Sequence, residues 1–208
     1  MGEGEAPRRS KWDDDAGRRW VALQGTVDDL FRSIECALVA GARAQAPSDV
    51  LDVGCGPGGL FRAIAAAQGP GVHCLGIDIS QQMIDAAQAA SPDCAFIRAD
   101  AQTHRFDAGR FGRIVSRFGV MFFSDPIAAF ANLRHAAAVD GALDVVSWRS
   151  LKDNPFMTVA EGAVAHLLPE LSPNQDDAPG QFGLADPERI KGILSAAGWR
   201  GISVQRRD

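Results

Sequence analysis

Ten residues, Val50 to Gly59, constrain this chain more than any other stretch. Val50, Leu51 and Val53 form a short apolar run suited to a buried strand. The run enters Gly54-Cys55-Gly56-Pro57-Gly58-Gly59, four glycines in six residues, and an apolar helix-like segment follows from Leu60. Glycine is needed where the backbone takes positive φ or meets a ligand with no Cβ in the way. A strand, a glycine turn and a helix start together make a site for a nucleotide-like ligand at the carboxyl edge of a parallel sheet. Gly54, Gly56 and Gly59 also satisfy the G-x-G-x-x-G spacing of dinucleotide sites, a match that glycine-rich turns meet often. Three residues point away from a pyrophosphate. Asp52 sits in the strand end, where a carboxylate suits a cationic ligand group. Pro57 stiffens the turn and removes an N–H. Asp100 repeats an acid at the end of a third strand-like segment.

The pattern around this motif alternates. Strands are expected over 50–53, 73–78, 94–98, 113–117 and 142–148, and helices over 59–67, 80–90 and 125–138. That rhythm implies an α/β fold, a doubly wound and mostly parallel sheet with helices on both faces. Ahead of it, Thr26 suits an N-cap, and Val27, Leu30, Phe31, Ile34 and Leu38 recur at helical spacing to give one apolar face. Ser80 suits the cap of the second core helix. Asp125-Pro126, Asn154-Pro155 and Asp186-Pro187 each pair a cap residue with a proline at the first helical position, and Gly198 closes the helix opened at Asp186. Gly201 to Val204 can supply a strand. Residues 1–208 read as one domain. It comprises a disordered tail over 1–11, an N-terminal helical segment over 12–48, a cofactor-binding core over 49–148, and a lid and substrate segment with a last helix and strand over 149–208.

Composition bounds the function. With 208 residues, 46% of them hydrophobic, the chain can bury one sizeable core. A net charge of −5 argues against a broad phosphate-binding surface, so no nucleic-acid partner is expected. Cys36, Cys55, Cys74 and Cys94 form no C-x-x-C pair, which suggests neither a zinc site nor a disulfide framework, so no metal is expected. Reduced, mostly buried thiols fit a cytoplasmic location. The N-terminus carries no apolar signal segment, and no run approaches the ~20 apolar residues of a membrane span.

Val50 to Gly59 resembles motif I of the class I S-adenosylmethionine-dependent methyltransferases. The resemblance continues in order through Cys74 to Ser80, Phe96 to Ala101, Ile114 to Phe118 and Arg134 to Leu143, with Val139-Asp140-Gly141 where the family usually has Lys-Pro-Gly. It runs from about Trp12 to Val204 and is nearest the small-molecule branch that includes the ubiquinone and menaquinone methyltransferases. It implies S-adenosylmethionine as cofactor, with S-adenosylhomocysteine as product. It implies that Asp52, Gly54, Cys55, Gly56 and Gly58 meet the methionine half. Asp78 and Ile79 would meet the ribose and adenine, Asp100 and Ala101 the adenine edge, and Ser116 and Phe118 the fourth-strand wall. In the family fold the sheet ends in an antiparallel pair. Here the final antiparallel strand is expected to be missing, leaving an edge on strand five that a second chain could pair with.

The substrate side is less constrained. Trp20, Met121, Phe156 and Phe182 are candidates for an apolar acceptor pocket, whereas Phe122 and Trp148 read as core. Residues 169–185 read as a lid or insertion. A base is needed only if the acceptor must lose a proton. His166 is the candidate for that role, while His104 reads as a loop residue and His135 as a solvent-facing helix residue. Two rival functions remain: a non-catalytic S-adenosylmethionine-binding protein, and an NAD(P)-dependent oxidoreductase. The second lacks any Tyr for a Tyr-Lys proton relay.

Overall fold

The structure is a computed structural model, and it describes residues 12, 14–43, 49–68, 72–157 and 180–207. The expected tail over 1–11, His166 and most of the expected lid lie outside these residues. Five strands form one sheet: β1 (Val50–Val53), β2 (Cys74–Asp78), β3 (Ala95–Arg98), β4 (Phe111–Arg117) and β5 (Ala137–Val146). Their spatial order is β3-β2-β1-β4-β5, and every pairing is parallel. The order reverses between β1 and β4. In open α/β sheets, ligands bind at such a switch point, outside the carboxyl ends of the strands.

Parallel strands are covered on both faces, so they read as continuous apolar runs. Val50 to Val53 is buried at all four positions, Asp52 included. On one face, Val50 and Val115 pack with Leu38 and Ala42 of α3 (Arg32–Arg43) and with Leu60 and Ile64 of α4 (Gly59–Gln68). On the other, Leu51, Val53, Ile77 and Ile114 pack in the larger core with Phe130 and Leu133 of α6 (Pro126–Ala136) and Ile193 and Leu194 of α7 (Pro187–Ala196). α5 (Gln81–Ala90) follows β2 and buries Met83, Ile84 and Ala87.

The expected caps form. Ser80 accepts from the Met83 N–H, Asp125 from the Ala128 N–H and Asp186 from the Glu188 N–H. Gly198 takes φ 87° just past α7. Asn154 behaves differently. Its amide donates back to the carbonyls of Arg149 and Ser150, and a 3-10 turn follows over Pro155–Met157.

Three expectations are corrected. The N-terminal helix does not begin at a Thr26 cap. Three short helices run instead, α1 (Asp15–Ala22), α2 (Gln24–Leu30) and α3, with breaks at Leu23 and Phe31. The break rotates the apolar stripe, so Phe31 and Ile34 reach the core while Leu30 is 70% exposed. α6 stops at Ala136, and β5 starts directly at Ala137. There Arg134 bends back to the carbonyls of Ala137 and Ala138, and the register jumps from Phe111↔Ala137 to Arg113↔Ala142. Residues 201–207 form no strand. Gly201 at φ 65° turns the chain, and Ile202 packs on the core as a single side chain. β5 is therefore the rim of the sheet among the described residues.

Candidate cofactor site

The site starts from the turn after β1. Gly54, Gly56 and Gly58 take φ of 66°, 54° and 83°, the left-handed region that side chains avoid. Gly54 has a second constraint. A Cβ there would lie 2.6 Å from Gly119 Cα, so the ends of β1 and β4 cross backbone against backbone. The Gly54 and Cys55 N–H groups both donate to the Ile77 carbonyl, at 2.8 and 3.1 Å. The Pro57 carbonyl receives Arg62 Nη1 at 3.0 Å and Gln24 Nε2 at 3.3 Å. The turn is thus fixed from β2, from α4 and from α2.

Asp78 ends β2 at the turn. One carboxylate oxygen accepts from Gly56 N at 2.9 Å, and the other from Ser80 N at 2.9 Å. Ile79 follows, partly buried, and its carbonyl receives Arg98 Nε at 3.3 Å. Asp100 follows β3 and folds its own loop by accepting from Gln102 N at 2.9 Å. Buried Ala101 presents its carbonyl to Asn132 Nδ2 at 2.9 Å. These acids line the carboxyl ends of β2 and β3 in order, beside the switch point.

Asp52 differs from both. It is 2% exposed, and neither carboxylate oxygen has a hydrogen-bond partner among the described residues. Register places Asp52 beside Val115, on the sheet face that α3 and α4 cover. Burial pushes its pKa from 3.8 up to about 7; Asp78 adds to the rise and Arg117 opposes it. Burial also raises the Cys55 thiol well above its usual range, and Asp52 contributes.

Sequence reading missed Arg117. It lies two residues beyond Val115 on the same face, and its guanidinium meets Asp28 of α2 at 2.6 Å and Glu35 of α3 at 3.6 Å. Burial raises the Glu35 carboxyl, with Arg117 opposing. Two arginines, Arg113 and Arg117, within the short Phe111–Arg117 strand were the available signal, because a charge in a buried strand needs a partner. Gly119 was missed as well, since its role depends on a crossing that no local pattern reveals.

The remaining candidates divide into two groups. The Ser116 hydroxyl is fully buried, donating to the Val53 carbonyl at 2.7 Å and accepting from Gly119 N at 3.1 Å, so it ties the ends of β1 and β4 together. Phe118 takes φ 64° and stacks on Trp148, with centroids 4.4 Å apart and planes within 7°. Phe31 closes edge-on against both rings. Met121 and Phe182 are buried, and Met121 sulfur receives the Trp148 N–H at 3.4 Å. Phe156 is 67% exposed, with its ring 6.1 Å from Trp148. Trp20 packs edge-on to Trp12, and Trp12 to Phe122, both at 5.7 Å. Trp20 Nε1 lies 3.9 Å from the Cβ direction of Gly56, which brings α1 over the glycine turn. His104 sits against Phe106, and His135 is exposed. Asp78 joins the glycine turn through Gly56, Asp52 lies buried behind them, and Met121 lines a small cavity with Val120, Phe123 and Leu184.

A parallel sheet with a glycine turn at the β1/β4 switch and acids ending β2 and β3 defines a Rossmann-like fold. The same fold occurs in an S-adenosylmethionine-dependent methyltransferase from Aquifex aeolicus, with a TM-score of 0.62 over 86% of this chain and 87% of that one, at 16% identity. Residues 50–141 match the model of a methyltransferase domain. The stretch that carries the glycine turn and the first four strands is thus similar to methyltransferase domains. It is 41% identical over 82 residues to a trans-aconitate 2-methyltransferase of Methylobacterium radiotolerans, covering 39% of this chain and 31% of that protein. It is 26% identical to a demethylmenaquinone methyltransferase of Thermus thermophilus over 81% of this chain and 79% of that one. The chain thus spans about a third of the length of the trans-aconitate relatives it matches.

Proposed function

We propose that this chain binds S-adenosylmethionine and transfers its methyl group to a small-molecule acceptor. The observation that carries this reading is Asp52, a carboxylate buried without a hydrogen-bond partner beneath a glycine turn. An isolated buried carboxylate is costly, and a cationic ligand group above it removes that cost. Pro57 leaves the turn without one of the N–H groups that a pyrophosphate would use, which disfavours the NAD(P) alternative. Gly54, Cys55, Gly56 and Gly58 would hold the methionine half, Asp78 and Ile79 the ribose side, and Asp100 and Ala101 the adenine edge. The cofactor supplies a methyl group on a sulfonium, an electrophile with a good leaving group. The protein's part is to orient the acceptor in line and exclude water. Trp20 and Phe156 are the proposed acceptor contacts, with Phe118 and Trp148 behind them. His166 remains the proposed base if the acceptor is protonated. Four free cysteines favour a cytoplasmic site of action. No helix among the described residues is long and apolar enough to cross a membrane.

The test is thermal unfolding with ligands. S-adenosylmethionine and S-adenosylhomocysteine are expected to raise the melting temperature and NADH to leave it unchanged, because only a ligand of the folded state stabilises by mass action. Asp78→Ala removes a charged acceptor worth ~1.5–3 kcal/mol, so affinity for both ligands should fall roughly ten- to a hundredfold. Asp107→Ala, at an 85% exposed side chain far along the chain, is the control. Stabilisation by NADH alone, or equal affinities for the two variants, would remove the assignment.

A further inference from the structure

Asp52 has no geometry that suits it as an anion in the ligand-free protein. It is fully enclosed, and neither oxygen accepts a hydrogen bond among the described residues. The charged groups that act on it lie on the two strands flanking β1. Asp78 on β2 repels it, and Arg117 on β4 attracts it. The thiols of Cys55 and Cys74 lie close enough to feel it. Arg117 gives little help, because its guanidinium is already shared by Asp28 at 2.6 Å and Glu35 at 3.6 Å. Burial keeps a carboxylic acid in that position protonated well above its ordinary range, up to about pH 7. A ligand that brings a positive charge to the turn reverses the balance, because an opposite charge within a few ångströms favours the anion.

We propose that the site loads its cofactor by exchanging a proton for it: Asp52 gives up its carboxyl proton to the solvent buffer as the ligand's cationic group arrives. This rests on the S-adenosylmethionine reading above and goes beyond it, since it makes occupancy sensitive to acid. The sign follows from linkage. The free protein binds the proton and the complex does not, so affinity falls as pH drops through the free-state pKa of about 7. Between pH 8 and pH 6 the loss is about tenfold for a single group of that pKa.

Calorimetric titration with S-adenosylhomocysteine in two buffers of different ionisation enthalpy tests the exchange. At pH 6.5 the measured enthalpy should differ between buffers by the release of more than half a proton, and at pH 8.5 by much less. The ligand's own ammonium also titrates, but it does so equally in Asp52→Asn, so the difference between the two proteins isolates Asp52. The same release in both proteins, or none in the unsubstituted one, would overturn the proposal. If Asp52→Asn binds too weakly to titrate, difference infrared spectroscopy on the unsubstituted protein decides. Ligand addition at pH 6.5 should remove a protonated-carboxyl band, and persistence of that band would refute the exchange. Absence of any binding or thermal stabilisation by S-adenosylhomocysteine is the distinct result that removes the cofactor reading itself, and this inference with it.

Discussion

Asp52→Asn is expected to stabilise the ligand-free protein at pH 8 while weakening its hold on S-adenosylhomocysteine. The folded-state pKa of about 7 lies above the ordinary 3.8. A carboxyl group raised in this way costs nothing below the lower value. Its penalty grows as pH rises between the two values and is complete above the upper one. Each tenfold change in proton affinity on folding corresponds to ~1.36 kcal/mol, so removing the ionisable group should return about 2–4 kcal/mol at pH 8 and almost nothing at pH 4. Asparagine retains the size and polarity of the protonated acid, which keeps packing out of the comparison. Urea unfolding at the two pH values measures it. Destabilisation at pH 8 would mean that Asp52 serves the fold, whereas stabilisation marks a residue kept for its ligand at the expense of the fold.

Arg117→Met is expected to act in the opposite direction. The side chain is 12% exposed and faces Asp28 and Glu35, which are 23% and 19% exposed. Methionine fills much of the volume but leaves the two carboxylates and Asp52 with no guanidinium between them. Breaking one side of a buried ion pair costs ~3–5 kcal/mol, and partial exposure here reduces that to about 2–4 kcal/mol. A lower urea midpoint with unchanged slope would register the loss. In an Asp28→Asn, Glu35→Gln background the same substitution should cost far less, because the stranded charges are gone. An equal cost in both backgrounds would assign the effect to packing alone. Because Asp28 and Glu35 lie on α2 and α3, the substitution should also loosen the N-terminal helices from the glycine turn.

The sequence made the cofactor half of the molecule legible because its signals are local. Positive φ at Gly54, Gly56 and Gly58, the caps at Ser80, Asp125 and Asp186, and the strand-end positions of Asp78 and Asp100 each follow from residues within one turn of each other. The apolar runs of parallel strands were equally readable, since burial on both faces leaves no alternation to interpret. What stayed hidden depends on distance. Arg117 and Asp28 are 89 residues apart in sequence, and the Gly54–Gly119 crossing joins two strand ends from opposite sides of the switch point. The helix break at Phe31 has no proline or glycine beside it, so tertiary packing, not propensity, decides it, while Gly25 just past Leu23 weakens the helix at the first break. The expected strand at Gly201–Val204 had the right residue types, but a strand needs a neighbour, and Gly201 turns the chain away from the rim.

Ser116 has a wider consequence. The ladder between β1 and β4 ends at Asp52↔Val115, and one step further the Val53 carbonyl is met by a hydroxyl instead of a main-chain N–H. The same hydroxyl receives Gly119 N. The point at which the two central strands part is therefore written into one side chain, not into the length of any loop. Insertions and substitutions beyond the strand ends can remodel the upper surface without moving the floor that the glycine turn rests on. A domain built this way can diversify that surface while its register stays still.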